Sequence, residues 1–293
     1  MANFIGVFLR SLEYGSFYAL SALSIILVYK TSYTTNFAQA TLGMFNTFLV
    51  ATLVVRQGWS LYAAIPIGIL SAIVLGILID VIIIRRATKA GAVGKQIITL
   101  GLISVFLGLA PIIFGVDNLS LPRLISAGTL SIFGNPFSYN ALFNIFFGLL
   151  IMITMFTTIQ KTKIGLAIRT TASNETTARI MGVPTKTVTM AAWAMAIVLS
   201  LISGLMTAPY SSVSLTFMND VQITAFLATV VGGFATFHGP VIAAYGISIL
   251  LNVFQVYMPE GTVWGKPILY AVLLLIMYFK PYGIFGKQRV KKV

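Results

Sequence analysis

Long apolar stretches dominate this sequence of 293 residues, of which 58% are hydrophobic and only 9% are charged. Soluble domains are charged at about a quarter of their positions, so this composition excludes an ordinary water-soluble enzyme. A helix needs about 20 apolar residues to cross a bilayer. Stretches of roughly that length lie at 14–29, 37–55, 62–84, 97–116, 137–159, 188–208, 221–237, 241–258 and 264–279. We therefore expect an all-α, polytopic integral membrane protein with eight to ten transmembrane helices.

Two of these stretches contain residues that disfavour a continuous helix. Gly232 and Gly233 interrupt the stretch 221–237, and Pro267 lies near the start of the last stretch. Non-helical backbone at membrane depth is tolerated only where protein or water satisfies its polar groups. The glycine pair therefore predicts a broken or re-entrant helix near residue 232.

The basic residues are concentrated in the connections between apolar stretches. Lys and Arg number 19 against six Asp and Glu, for a net charge of +13, which in a soluble domain would suggest nucleic-acid binding. Most of them lie at 85–95, 161–186 and 280–292. Cytoplasmic loops of membrane proteins carry such an excess, so we interpret the charge as a topology signal, with no nucleic-acid partner. All three connections and the C-terminus should be cytoplasmic, and the N-terminus outside.

The sequence contains no recognisable catalytic or metal-binding constellation. It has one histidine, His238, no cysteine, and six scattered acidic residues. Only Glu13 and Asp80 lie in or near an apolar stretch, and Arg10 and Arg85 are close enough in sequence to pair with them. We expect no cofactor on this chain, and any ATP hydrolysis that drives transport would occur on another polypeptide.

A short helix is predicted within the connection 161–186. Asn174 is a favourable N-cap, Gly182 suits the left-handed position after a helix, and Pro184 prevents continuation. Three residues would share one face presented to the cytoplasm: Thr177, Ala178 and Met181. Such a helix either packs on its own bundle or docks a soluble partner.

Five motifs occur in order along nearly the whole chain. The run IGLAIRTTASNETTARIMGVPTKTV at 164–188 resembles the cytoplasmic loop of branched-chain amino acid ABC importer permeases. The other four similarities are GSFYAL at 15–20, NFA at 36–38, the glycines from 232 to 239, and KPYGIFG at 280–286. Because all five motifs occur in the order found in that permease family, the chain is identified as similar to it.

The resemblance implies a single permease domain over 1–293 in a bacterial inner membrane, with an alternating-access mechanism. Its implied partners are a second permease subunit, homologous or identical, two cytoplasmic ABC ATPase subunits that hold ATP and Mg, and an extracytoplasmic substrate-binding protein. The chain itself would not be an enzyme. Its substrate would be a branched-chain or related amino acid. The alternative is a self-contained secondary transporter or channel for a small polar solute, which the absence of mid-membrane charge disfavours.

In the family, the short helix of this cytoplasmic connection docks on the ATPase. The resemblance gives the ATPase-coupling role to Glu175, Thr176, Thr177, Ala178, Arg179 and Gly182. The match is not complete, because the acidic residue lies one position earlier than in the family pattern.

The segment after the NFA motif departs from the family, which usually has His-Gly and then an acid where this chain has Gln-Ala-Thr at 39–41. On a helix, a small and polar stripe would form from Asn36, Gln39, Gly43 and Asn46. The stripe either lines the passage or permits close helix packing and interhelical hydrogen bonds. The residues expected on the translocation path are Asn36, Gln39, Thr41, Gly43, Asn46, Gly232 and Gly233.

Overall fold

A computed structural model of the protein describes residues 2–87, 90–125, 128–132 and 134–286. The helices are α1 (Ala2–Ser32), α2 (Gln39–Val55), α3 (Leu61–Leu78, continued by a π-helical turn, Ile79–Ile84), α4 (Gly91–Phe114), α5 (Tyr139–Lys161), α6 (Lys163–Ser173), α7 (Glu175–Ile180), α8 (Thr185–Thr207), α9 (Asn219–Gly232), α10 (His238–Tyr257) and α11 (Gly261–Phe279). A hairpin of two antiparallel strands, β1 (Thr129–Ile132) and β2 (Asn135–Ser138), precedes α5.

The predicted all-α membrane architecture is confirmed. Among the described residues, seven helices are long and apolar enough to cross a membrane, and α2 is apolar but shorter. The break predicted near residue 232 is present, because α9 ends at Gly232 and α10 begins only at His238. The other interrupted stretch forms a continuous helix, since Pro267 lies inside α11.

The first two basic connections lie at the same end of the helix bundle. The hydroxyl of Tyr33, which follows α1, donates to the carbonyl of Ala172 in α6 at 2.7 Å. Arg85, which follows the π-helical turn, donates to the carbonyl of Lys186 in α8 at 2.9 Å. We call this the basic end of the bundle, and it comprises residues 30–38, 85–87, 90–95, 161–186 and 232–238. Residues 88, 89 and 287–292 of the predicted basic connections lie outside the described residues.

The connections predicted to face the other side meet at the opposite end. Arg56, after α2, forms an ion pair with Asp117 at 3.0 Å. Leu119 pairs through its backbone with Val213, which lies between α8 and α9. These contacts agree with the alternation of sides that the basic residues predict.

The centre of the bundle is formed by α1 and α8, the two long helices with the largest buried fractions. They run in opposite directions, since Ser203 in α8 donates to the carbonyl of Phe17 while Tyr210, beyond α8, reaches Glu13 near the start of α1. Each is followed by one short helix and two long ones. Moreover, α1 packs on α9 and α10 as α8 packs on α2 and α3. The order and packing of the helices that follow α1 and α8 thus resemble the inverted repeats of many transporters.

Glycines allow the central helices to approach closely. A Cβ atom at Gly43 in α2 would lie 2.8 Å from the carbonyl oxygen of Ser200 in α8. A Cβ atom at Gly76 in α3 would lie 2.6 Å from the Cα atom of Ala194 in α8. Small residues at such crossings let backbones pack directly in a membrane, so α8 is held between α2 and α3.

Candidate coupling and translocation site

The short helix α7 begins where the sequence predicts. The side chain of Asn174 accepts a hydrogen bond from the N–H of Thr177 at 3.0 Å, which satisfies one of the free donors of the first turn. Glu175 forms an ion pair with Arg179, one turn later, at 2.6 Å. The first turn of α7 is therefore specified by contacts among neighbouring residues.

The end of α7 is also local in origin. Gly182 has a φ of +81°, in the left-handed region that glycine tolerates. Its N–H donates to the carbonyl of Arg179, and the N–H of Val183 donates to the carbonyl of Ala178, each at 3.0 Å. This pair of bonds is a Schellman motif, as the glycine predicts.

The face that α7 presents to solvent differs from the prediction. Ala178 is only 2% exposed, so it does not share an exposed face with Thr177 and Met181. The exposed apolar side chains are instead Ile180, at 82%, and Met181, at 73%. Neighbouring helical residues differ by about 100° in direction, and the packing of α7 on α6 and α8 decides which of them faces the bundle.

The polar stripe of α2 is buried inside the chain. The amide of Asn36 donates to the side-chain oxygen of Gln39, and the amide of Gln39 donates to the carbonyl of Ala196 in α8, both at 2.8 Å. The hydroxyl of Ser200, also in α8, donates to the backbone carbonyl of Gln39 at 2.9 Å. The N-terminal part of the stripe thus binds α2 to α8.

Gly43 and Asn46, which form the rest of the stripe, are also buried. Gly43 lies against Ser200, and the buried Asn46 donates to the carbonyl of Leu42 in its own helix at 2.8 Å. Thr41 is half-buried. These contacts favour the packing alternative for Asn36, Gln39, Gly43 and Asn46, and their place on the translocation path stays a prediction.

Two of the sequence motifs, the glycines 232–239 and the segment 280–286, pack on each other at the basic end. A Cβ atom at Gly232 would lie 2.3 Å from the carbonyl carbon of Gly239. Gly233 has a φ of +87°, and a Cβ atom there would lie 2.7 Å from the carbonyl oxygen of Tyr282. Reciprocally, a Cβ atom at Gly283 would lie 2.5 Å from the Cα atom of Gly233. We call this contact the glycine junction.

Further contacts hold the glycine junction together. The N–H of Ile284 donates to the carbonyl of Val231 at 2.7 Å. The rings of His238 and Phe285 meet edge to face, with centroids 5.7 Å apart. The described part of the third basic connection therefore lies at the basic end with the other two. The predicted path residues Gly232 and Gly233 are backbone contacts in this junction.

The environment of Glu13 corrects the sequence-based prediction. Its carboxylate accepts hydrogen bonds from Asn144 at 2.8 Å and from the hydroxyl of Tyr210 at 2.5 Å, rather than pairing with Arg10. Burial and the bond to Glu13 raise the pKa of Tyr210 to about 12. The partners are 131 and 197 residues away, and no local signal identifies them.

The other predicted ion pair is confirmed, since Asp80 contacts Arg85 at 2.8 Å. Within the described parts of the chain, no three His, Cys, Asp or Glu side chains come together as candidate metal ligands.

Known proteins resemble this chain over nearly its whole length. It is 26% identical to a probable branched-chain amino acid transport permease protein LivH from Methanocaldococcus jannaschii, over 93% of this chain and 90% of the relative. It is 25% identical to the high-affinity permease protein LivH of Escherichia coli, over 95% and 94% of the two chains. It is 23% identical to the permease protein BraD of Pseudomonas aeruginosa, over 99% and 98%.

A solved structure supports the fold. The complex titled PsaBC from Streptococcus pneumoniae with Fab contains a chain that matches with a TM-score of 0.54 at 14% identity, over 94% of this chain and 95% of that chain. The family model described as branched-chain amino acid transport system, permease component, matches residues 7–277. The chain therefore belongs to the branched-chain amino acid transport permease family.

Proposed function

We propose that this chain is the membrane-spanning permease subunit of an ATP-driven importer for branched-chain or related amino acids. A second permease subunit, homologous or identical, completes the translocation path at the interface between the two. Two cytoplasmic ATPase subunits hold ATP and Mg, and an extracytoplasmic binding protein delivers the substrate. Relatives described as branched-chain amino acid permeases match over almost their whole lengths, which supports this substrate class.

The form of α7 carries the coupling part of the proposal. Its backbone is capped at both ends, Ala178 packs on the bundle, and Ile180 and Met181 project into solvent at the basic end. Two large apolar side chains held on a rigid turn suit burial in a groove of a partner. Complete burial would contribute roughly 1.5 to 3 kcal/mol for each. We infer that this surface, with Glu175, Thr176 and Arg179 beside it, docks on an ATPase subunit.

A movement of α7 would be transmitted to the membrane helices through short connections. The helix α8 begins at Thr185, soon after Gly182. It is bonded to α2 through Gln39, by way of Ala196 and Ser200. We propose that α8 transmits the movement of α7 to α2, and that the polar stripe keeps these two helices together during transport.

The basic end would face the cytoplasm, following the positive-inside bias. The chain has no cysteine, so single cysteines report sidedness without background. Lys163→Cys at the basic end should react with a membrane-impermeant thiol reagent only after the inner face is exposed. Asp117→Cys, at an exposed position at the opposite end, should react from the outside. The reverse pattern would contradict the orientation.

Purification from the native membrane tests the function as a whole. Mild solubilisation of a tagged chain should retain ATPase subunits and a second permease in fixed stoichiometry. The reconstituted complex should hydrolyse ATP faster when loaded binding protein is added. A lone chain that transports solute in liposomes without ATP would instead indicate a secondary transporter or channel.

Uptake assays then address the substrate. Liposomes that contain the complex should accumulate leucine, isoleucine or valine only with ATP and binding protein present. Ions or sugars taken up at the same rate would contradict the proposed substrate class while leaving the ATP-driven mechanism in place.

A further inference from the structure

A cavity of about 260 Å³ lies at the basic end between α7 and the ends of four membrane helices. The ends of α1 and α3 and the beginnings of α4 and α8 contribute to its wall. Its lining contains four cations and two carboxylates: Arg85, Lys95, Arg179, Lys186, Asp80 and Glu175. The cavity is therefore positively charged, and it is separate from the stripe and from the glycine junction.

Each of the two carboxylates forms an ion pair with one of the two arginines. Asp80 pairs with Arg85 at 2.8 Å, and Glu175 pairs with Arg179 at 2.6 Å. Within the described ranges, neither Lys95 nor Lys186 forms an ion pair. Two cations that face one concavity repel each other, and an anion placed between them would remove that repulsion. The lining thus favours an anion with several oxygen acceptors, as a phosphate group has.

The position of the cavity at the ends of membrane helices indicates that the phosphate belongs to a lipid headgroup. It lies where α3 ends and α4 begins, at the expected level of lipid headgroups. Exposed apolar side chains occur close in sequence to the lining residues Asp80 and Lys95: Leu78 and Ile82 near the first, Ile97 and Leu100 near the second. Acyl chains could lie along these side chains while the headgroup entered the cavity. Basic pockets between membrane helices on the cytoplasmic side bind anionic headgroups in this way.

We propose that this cavity binds a phosphate group, and that its source is the headgroup of an anionic phospholipid. The bound lipid would bridge the coupling helix α7 and the ends of α3, α4 and α8. The inference rests on the cavity alone and holds whichever solute the protein transports.

Lipid retention tests the proposal directly. The purified chain would be reconstituted in nanodiscs of phosphatidylcholine with increasing phosphatidylglycerol, and bound lipid would be counted by native mass spectrometry after release. Lys95→Gln with Lys186→Gln should weaken retention of phosphatidylglycerol by roughly fivefold for each lysine, which corresponds to about 1 kcal/mol per cation near the surface. Lys161→Gln with Lys163→Gln is the matched control, since it removes two exposed cations from the same end outside the cavity.

A double change to arginine separates a binding defect from a folding defect. Lys95→Arg with Lys186→Arg keeps the charges and should retain the lipid, and all variants should remain monodisperse. Equal losses in the glutamine pair and its control, or no loss in either, would overturn the proposal.

Two further measurements distinguish the source of the anion. Millimolar inorganic phosphate should not displace phosphatidylglycerol from the wild-type chain. Displacement by phosphate with no headgroup preference would retain the phosphate chemistry but overturn the lipid source. In pure phosphatidylcholine, the glutamine pair should bind ATPase subunits as the wild type does. Weaker binding there would indicate that the cavity receives an acidic side chain of the partner, and would overturn the lipid proposal.

Discussion

Two structures at the basic end, the helix α7 and the glycine junction, differ in how they are held in place. Asn174 and Gly182 cap α7 through residues close to them in sequence, and only Ala178 within the helix is buried. The glycine junction instead joins the α9–α10 break to a segment that begins more than 40 residues later, with backbone packed on backbone. The contacts of α7 are local and mostly exposed, whereas those of the junction are long-range and centred on buried glycines.

This difference separates two roles for glycine in one protein. Gly182 has no atom within 4 Å of the site where a Cβ would be, so it is required only for its positive φ. Gly232 lies within a helix and has an ordinary φ, so it is required only for close approach to Gly239. A substitution that adds volume at Gly232 should therefore damage the junction, and one that restricts φ at Gly182 should damage α7.

The largest effect is expected from Gly232→Ala. The new Cβ would lie 2.3 Å from the backbone of Gly239, which no side-chain rotation can relieve. Helix displacement should cost about 3 kcal/mol and lower the thermal unfolding midpoint in detergent. Gly246→Ala in α10 is the control, because nothing lies within 4 Å of its Cβ position. Equal midpoints for both variants would show that the junction is not tightly packed.

A somewhat smaller loss is expected from Gln39→Leu. The substitution leaves the buried carbonyl of Ala196 and the amide of Asn36 without their partner, at a cost of about 2 kcal/mol. The packing role predicts a lower unfolding midpoint and less assembled complex. Asn252→Leu removes an amide that, among the residues described, donates to Ser248 in its own helix, and it should be tolerated better. Normal assembly with blocked uptake in Gln39→Leu would favour a passage role for the stripe.

Gly182→Val should affect transport more than stability. Valine in the left-handed region costs about 1 to 2 kcal/mol, and α7 would relax by moving its exposed face. Substrate-stimulated ATP hydrolysis and uptake by the reconstituted complex should both fall. Gly58→Val imposes similar backbone strain at the opposite end, where φ is +72° and no atom lies within 4 Å. The same loss in both variants would contradict a specific coupling role for α7.

The smallest effect is expected from Asn174→Ala, which removes the N-cap of α7 at a cost of about 1 kcal/mol. Fraying of the first turn should weaken ATPase binding a few fold, measured by titration with purified subunits. Ser60→Ala removes the corresponding cap of α3 at the opposite end. If that variant weakens ATPase binding as much, the effect of Asn174 does not arise from docking.

The predictions that the structure confirms depend on short stretches of sequence. The apolar stretches, the caps of α7 and the break at Gly232 follow from residues within one or two turns of each other. The apolar stretches also predict that the described basic connections lie at one end of the bundle, because each membrane crossing takes the chain to the other side. The error concerning Ala178 has the same origin, since periodicity places residues around a helix without showing where its neighbours are.

The sequence by itself determined that this chain is a membrane bundle with a capped helix in its longest basic connection. Only the tertiary structure decided that Glu13 is held by Asn144 and Tyr210, that the α2 stripe packs on α8, and that the two glycine motifs meet. The physical reason is the range of the interactions. Helix formation and insertion in lipid depend on neighbouring residues, whereas a hydrogen bond or a backbone contact between distant segments exists only after the helices have packed.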